Sequence, residues 1–300
     1  MRITIRNGGD KRNMRQEARE TLLTRQGLSA CSTATLTSFG LLSAALQIVL
    51  AVWPSLARYD IWILCALAGS CIIAGISHAW PKFETIHSYT HPHFTIEVKC
   101  GDIFAQQGGI VIGFTDTFDT DVTDGVVINP RSVQGQFQER HYSGNLSRLD
   151  SEIEEKLRPL LVKQHETTET KIRGKLSRYE IGTTIALHPD GNRVYAAAYG
   201  FMRNDLRVSC SVDALWKTLT SVWGSVRIHG NLESVTIPVI GSELARVGSL
   251  DRTSLIKMIA LSFVASSREE VVSRKLTIIV HPKDRAHVNL LDINRFLRSL

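Results

Sequence analysis

Apolar and polar positions change rhythm three times along this chain. The first 35 residues are polar and arginine-rich, with too few apolar positions for a core-facing stripe. Two apolar runs follow. Between Arg25 and Arg58, 32 residues carry no formal charge, and 61–81 is a second uncharged run. Crossing a bilayer takes about 20 apolar residues, because every backbone group must pair internally across the hydrocarbon. Runs 36–53 and 61–80 are long enough, and 54–60 allows only a tight reversal. Trp53, Tyr59, Trp62 and Trp80 fall near the ends, where amphipathic rings prefer the interface. The pattern predicts a transmembrane helical hairpin over 36–81, with spans at about 36–53 and 61–80. A cleaved signal peptide has a shorter apolar core and no second run so close behind it. Gly40 and Ala44, then Ala66, Ser70 and Ala74, stand at the spacing that lets helices approach, and Gln47 places a polar group at mid-run.

From residue 83 short apolar runs alternate with amphipathic helical stretches. Residues 82–93 read as a linker. Strands are expected over 94–98 and 109–114, and over 181–187 and 193–198 with a hairpin turn at 189–192. Asp150 reads as the N-cap of a helix that turns Ile153, Leu157, Leu160 and Leu161 inward. Ser211 caps another with Leu215, Leu219, Val222 and Trp223 inward, and the pair Trp216 and Trp223 reads as core. Asp251 caps a third, with Leu255, Ile256, Ile259 and Phe263 inward. Strands at 235–239 and 276–280 and a helix over 288–300 complete the pattern. The fold class is therefore α/β, a sandwich with a mixed sheet over 94–300.

Charge adds an orientation. Residues 1–35 carry seven Lys and Arg against three acids, while the whole chain has a net charge of +6. Residues 83–300 retain only +1 of it, which argues against a nucleic-acid surface on the folded domain. A basic cytoplasmic segment at 1–35 holds the N-terminus inside, and two spans return the chain to the cytoplasm. The expected location is the bacterial inner membrane, multi-pass, with both termini cytoplasmic. The five cysteines show neither CxxC nor a paired framework, as in a reducing compartment. His87, His91 and His93 cluster in the linker without a further metal ligand at fixed spacing. Cys210 precedes a helix start, where a thiol can be activated, but reads as a packed structural residue.

In open α/β sheets ligands sit beyond the carboxyl ends of the strands. Two turns there are unusual. Gly101-Asp102-Ile103 follows the first strand of the domain, and an acid at that edge can accept hydrogen bonds from a base amino group. Pro238 to Gly248 is a glycine-bearing loop with few charges, whose successive N–H groups can cradle phosphate. It is neither a Walker loop nor GxGxxG.

The two motifs together, about 140 residues apart, resemble a macro domain, the ADP-ribose-binding fold. The resemblance implies that Asp102, beside Ile103, accepts from the adenine amino group. It implies that Pro238, Gly241 and Ser242, continued by Leu244, Ala245, Arg246 and Gly248, wrap the diphosphate and distal ribose. Gly113, Thr115 and Asp116 belong to the loop after the second strand. Hydrolytic macro domains carry an Asn- and Gly-rich loop there; residues 112–121 contain no Asn, which implies binding rather than catalysis, with no catalytic residue, cofactor or metal. A two-span hairpin before such a domain resembles the membrane-bound macro-domain effectors of bacterial Thoeris anti-phage systems. That resemblance implies an ADP-ribose-derived signal made by a partner TIR-domain enzyme, ligand-induced homo-oligomerisation, and disruption of the lipid bilayer. It also allows Asp116, Asp119 and Asp121 to meet a cationic group on the signal; the residues by themselves read equally as solvated loop charges. The rivals are a membrane-anchored ADP-ribosyl hydrolase and a passive anchor for a partner.

Overall fold

A computed structural model describes residues 25–52, 68–71, 73, 84–241 and 250–300. Two compact units divide the chain, residues 1–82 and 83–300.

In the first unit, α1 spans Arg25–Val52. Among the described residues no helix is long and apolar enough to cross a membrane. The first expected span, 36–53, falls almost wholly within α1, where Thr37, Ser43 and Gln47 interrupt the apolar run. The second, 61–80, keeps only 68–71 and 73 among the described residues. The hydroxyls of Thr37 and Ser43 donate to the carbonyls of Thr33 and Phe39, at 2.9 and 2.8 Å. Leu36, Phe39 and Val52 are 70%, 50% and 60% exposed, so this unit leaves large apolar side chains uncovered.

The second unit is a sheet between two helical layers. Its strands are β1 (Glu84–Thr90), β2 (His93–Cys100), β3 (Gly109–Thr115), β6 (Thr184–Leu187), β7 (Val194–Met202), β8 (Val208–Ser209), β9 (Val235–Pro238) and β10 (Lys275–Val280). The order is β1-β2-β10-β9-β3-β7-β6, with β8 on β7. β2, β10, β9, β3 and β7 run parallel; β1, β6 and β8 pair antiparallel. Both sheet faces are covered, so β3 reads as a nearly continuous apolar run. Val111 packs on one face, with α4 (Val212–His229), α5 (Arg252–Glu269) and α6 (Leu290–Ser299). Ile110, Ile112 and Phe114 pack on the other, with α2 (Val133–Tyr142) and α3 (Leu146–Leu157).

Ser211 and Asp251 cap α4 and α5 as their sequences predict, accepting from Ala214 and Ser254 N–H. Four expectations need correction. Leu160 and Leu161 lie beyond the end of α3 at Leu157 and are 39% and 90% exposed, not turned inward. Residues 84–90 form β1, not linker, because a tight turn at Pro92 folds them back onto β2. Asn145, not Asp150, caps α3; the carboxylate of Asp150 instead takes Thr120 and Lys175. Trp223 is fully buried, its indole N–H donating to Ser262 at 2.9 Å, but Trp216 on the same helix is 40% exposed.

The loop leaving β3 is held by charge. Residues 163–178, which include the short pair β4 (Gln164–His165) and β5 (Ser177–Arg178), form a basic strap. Three of its cations meet the loop acids. Arg178 bonds Asp116 at 2.7 Å, and both side chains are 2% exposed. Lys171 bonds Asp119 at 2.9 Å with both fully buried, and also donates to the Lys175 carbonyl at 2.7 Å. Arg173 bonds Asp121 at 2.7 Å and also Asp124. A buried pair tolerates removal of both charges better than removal of one. The Lys171→Met chain should lose about 3–5 kcal/mol of stability in urea unfolding, and Lys171→Met with Asp119→Leu should lose less than either single change.

Glu97, on β2, supplies a pH-dependent term. Burial alone raises its carboxyl, but hydrogen bonds with Lys275 (2.8 Å), Glu84 and Lys99 (3.2 Å) more than offset this and hold it at about 2. The folded value lies below the ordinary 4.5, so the stabilisation is present above about pH 4.5 and is lost as pH falls towards 2. Glu97→Gln should flatten this acid limb of stability against pH.

Candidate functional site

A cavity of about 570 Å³ opens beyond the carboxyl ends of the parallel strands. Strand order sets its long axis. Gly101, Asp102, Ile103 and Phe104 after β2 and His281 to Asp284 after β10 wall one end. Pro238 to Gly241 after β9 and Gly113 to Thr115 on β3 form the middle, and Tyr199 on β7 with Val208 the far end. Four interstrand steps of about 4.8 Å give a trough of roughly 19 Å. That length suits a ligand with two ends.

Asp102 is fixed by two donors. Its Oδ1 accepts from Phe104 N–H at 3.0 Å and its Oδ2 from Arg140 Nη1 at 2.9 Å. Burial works to raise this carboxyl, but those bonds prevail and hold it below the usual carboxylate range. Asp102 is thus an ionised, acceptor-only group. His281 Nδ1 accepts from Lys283 N–H at 3.2 Å, so the neutral ring carries its proton on Nε2. Arg131 and Lys283 line the same cavity and favour an anion, whereas the charge of Arg140 is matched by Asp102.

Backbone requirements explain two glycines. A Cβ on Gly113 would lie 2.5 Å from Tyr199 Cε1, so the aromatic far wall sits directly on that glycine. Gly241 has φ +88°, a conformation open to glycine at little cost, where the chain leaves β9. Between these strands the N-terminus of α2 faces the cavity through Ser132, Val133 and Gln134. Ser132 Oγ accepts from Gly135 N–H at 3.1 Å, and Gln134 donates to the Asp119 carbonyl at 2.7 Å, joining this wall to the charge clamp.

Of the residues singled out from sequence, Asp102, Ile103, Gly113, Thr115 and Gly241 line the cavity. Ser242, Leu244, Ala245, Arg246 and Gly248 lie outside the described residues. Asp116 faces away from the cavity, into the clamp, where burial pushes its carboxyl up against the pull of the Met202 N–H and Arg178. The expectation that Asp116, Asp119 and Asp121 meet a cation on a ligand is replaced. They meet Arg178, Lys171 and Arg173 of the chain itself. Sequence reading passed over Phe104, Arg131, Arg140 and Tyr199. The turn Asn129-Pro130 ahead of a Ser N-cap signalled the start of α2, but nothing in the order of residues tied Arg140 to Asp102. The loop after β3 runs on past 121, and Asn129 lines the cavity, its Oδ1 accepting from Arg131 N–H at 2.8 Å. Among the described residues no cluster of His, Cys, Asp and Glu is arranged to hold a metal ion. Burial pushes the Cys210 thiol up to about 11, away from the activated range.

The family model for the macro domain of the Thoeris protein ThsA matches residues 96–281. The chain belongs to the Thoeris ThsA macro-domain family. The match runs from β2 to the first residue after β10, and so takes in both turns that frame the trough. Solved structures similar to it include a point mutant of the Oceanobacillus iheyensis macrodomain (11% identity, 72% of this chain and 100% of that chain, TM-score 0.48). The same macrodomain with ADP gives 10% identity over 73% of this chain and 100% of that chain, TM-score 0.42. No curated protein matches the chain.

In this ThsA-family domain the Tyr199–Gly113 contact sets the width of the far end. Gly113→Val should push the ring aside and destabilise the fold by about 1–3 kcal/mol, the usual range for overpacking. Thermal unfolding of the variant beside the parent chain measures it.

Proposed function

We propose that this chain is a membrane-anchored sensor whose macro domain binds an ADP-ribose-derived nucleotide. One observation carries the reading. In a ThsA-family domain, a trough of about nucleotide length has an ionised acceptor, Asp102, at one end and glycine-bearing backbone in its middle. An exocyclic amino group suits the first, and a diphosphate suits the second. Anchoring is supported by the uncharged runs and by the uncovered Leu36, Phe39 and Val52 of α1. Back-bonded Thr and Ser hydroxyls, as in α1, are also what a helix in hydrocarbon requires. A partner TIR-domain enzyme would supply the nucleotide. Binding would favour a homo-oligomer whose hairpins disrupt the inner membrane in anti-phage defence. A ligand shifts such an equilibrium only by its differential affinity for the two states.

Asn129 in the cavity wall favours a second reading, a membrane-anchored ADP-ribosyl hydrolase. Calorimetry of the full-length chain with ADP-ribose and its amino-acid conjugates separates the readings. The sensor predicts micromolar or tighter binding without turnover, weakened at least about ten-fold by Asp102→Ala, the loss of one charged hydrogen bond. Consumption of the ligand that Asn129→Ala abolishes would establish the hydrolase. No heat with any of them would leave a passive anchor.

A further inference from the structure

Arg140 stands on the last turns of α2, 38 residues from Asp102 in sequence, yet its Nη1 reaches Asp102 Oδ2 at 2.9 Å. Its guanidinium carbon also lies 4.6 Å from the centroid of the Phe104 ring. All three side chains line the cavity at the β2 end. The guanidinium is therefore held by an ion pair and by an aromatic face at once, and it fixes the plane of the carboxylate from the side opposite Phe104 N–H. Such a pair is a poor device for stability. The side chains of Arg140 and Asp102 are 45% and 46% exposed, and exposed pairs contribute little to folding. Lysine could supply the charge, but only a planar fork can bond the carboxylate and stack on the ring together.

We infer that Arg140 is a positioning residue which aims Asp102 at the base and makes this end of the cavity select a base with an exocyclic amino group. The inference rests on the reading of the cavity as an adenine-nucleotide site. Each Asp102 oxygen already holds one hydrogen bond and has one acceptor position left. A ligand amino group can fill it. A carbonyl at the same place sets acceptor against acceptor and leaves that acceptor position unfilled on binding, and such a penalty is how polar sites discriminate. Without Arg140 the carboxylate keeps only the Phe104 N–H, can turn about that bond to accommodate either edge through water, and the discrimination falls.

The experiment is calorimetric titration of the full-length chain with ADP-ribose and with inosine diphosphate ribose, which carries a carbonyl in place of the amino group. The parent chain should prefer ADP-ribose by roughly ten-fold or more, the worth of one hydrogen bond to a charged group. Arg140→Ala and Arg140→Lys should weaken ADP-ribose several-fold, leave the inosine ligand within about two-fold, and shrink the preference, with unfolding midpoints unchanged because the pair is exposed. Equal weakening of both ligands would make Arg140 a general counter-charge and overturn the inference. So would unaltered binding, or tighter ADP-ribose binding that marks Arg140 as a competitor. A parent chain that binds neither ligand overturns the nucleotide reading itself, and this inference with it.

Discussion

The fully buried bond between Lys171 and Asp119 is the constraint on which the cavity wall depends. Asp119 lies in the loop that leaves β3, and the same residue offers its carbonyl to Gln134 on the first turn of α2. Its carboxylate also accepts from the backbone N–H of Lys175 and from Thr117. One aspartate thus ties the basic strap, the loop and the helix start together. Gly174 is needed beside it, since a Cβ there would fall 2.2 Å from Asp119 Oδ1 and φ is +84°. Arg178 repeats the device at Asp116, with Glu166, Asn204 and the face of Phe201 completing its surroundings. Buried charge is costly to leave unpaired, so this network tolerates few alternative loop positions.

The parallel sheet decides where that rigid wall is used. Because β2, β10, β9, β3 and β7 all run the same way, their following turns gather along one edge. A polar, charge-bearing end at β2 and an aromatic end at β7 follow from strand order alone. The sheet places its glycines where neighbouring strands crowd them. Tyr199 covers Gly113 and Tyr195 covers Gly109, with the added Cβ only 2.5 and 2.8 Å from the rings.

The two units of the chain differ in how far their large apolar side chains are covered. The second buries its large apolar residues on both sheet faces, as Phe114, Trp223 and Phe263 illustrate. The first leaves Leu36, Phe39 and Ile73 open. Water does not favour such exposure of large apolar side chains.

The order of residues alone determined the class of the fold. Period-two and near-continuous apolar runs marked β2, β3, β9 and β10, and the Ser211 and Asp251 caps located α4 and α5, because these signals act over a few residues. Gly101-Asp102-Ile103 and Pro238 with Gly241, which line the cavity, stood out as unusual turns for the same reason. The tertiary structure decided what lies across from them. Three loop acids looked available until the strap, 52 to 62 residues away, brought Lys171, Arg173 and Arg178 against them. β1 looked like linker because its burial is one-sided and partial, and it becomes a strand only by pairing with β2. Arg140 and Asp102 form a pair through the packing of α2 on the sheet. Ion pairs and edge strands are fixed by partners distant in sequence, and local periodicity carries no record of them.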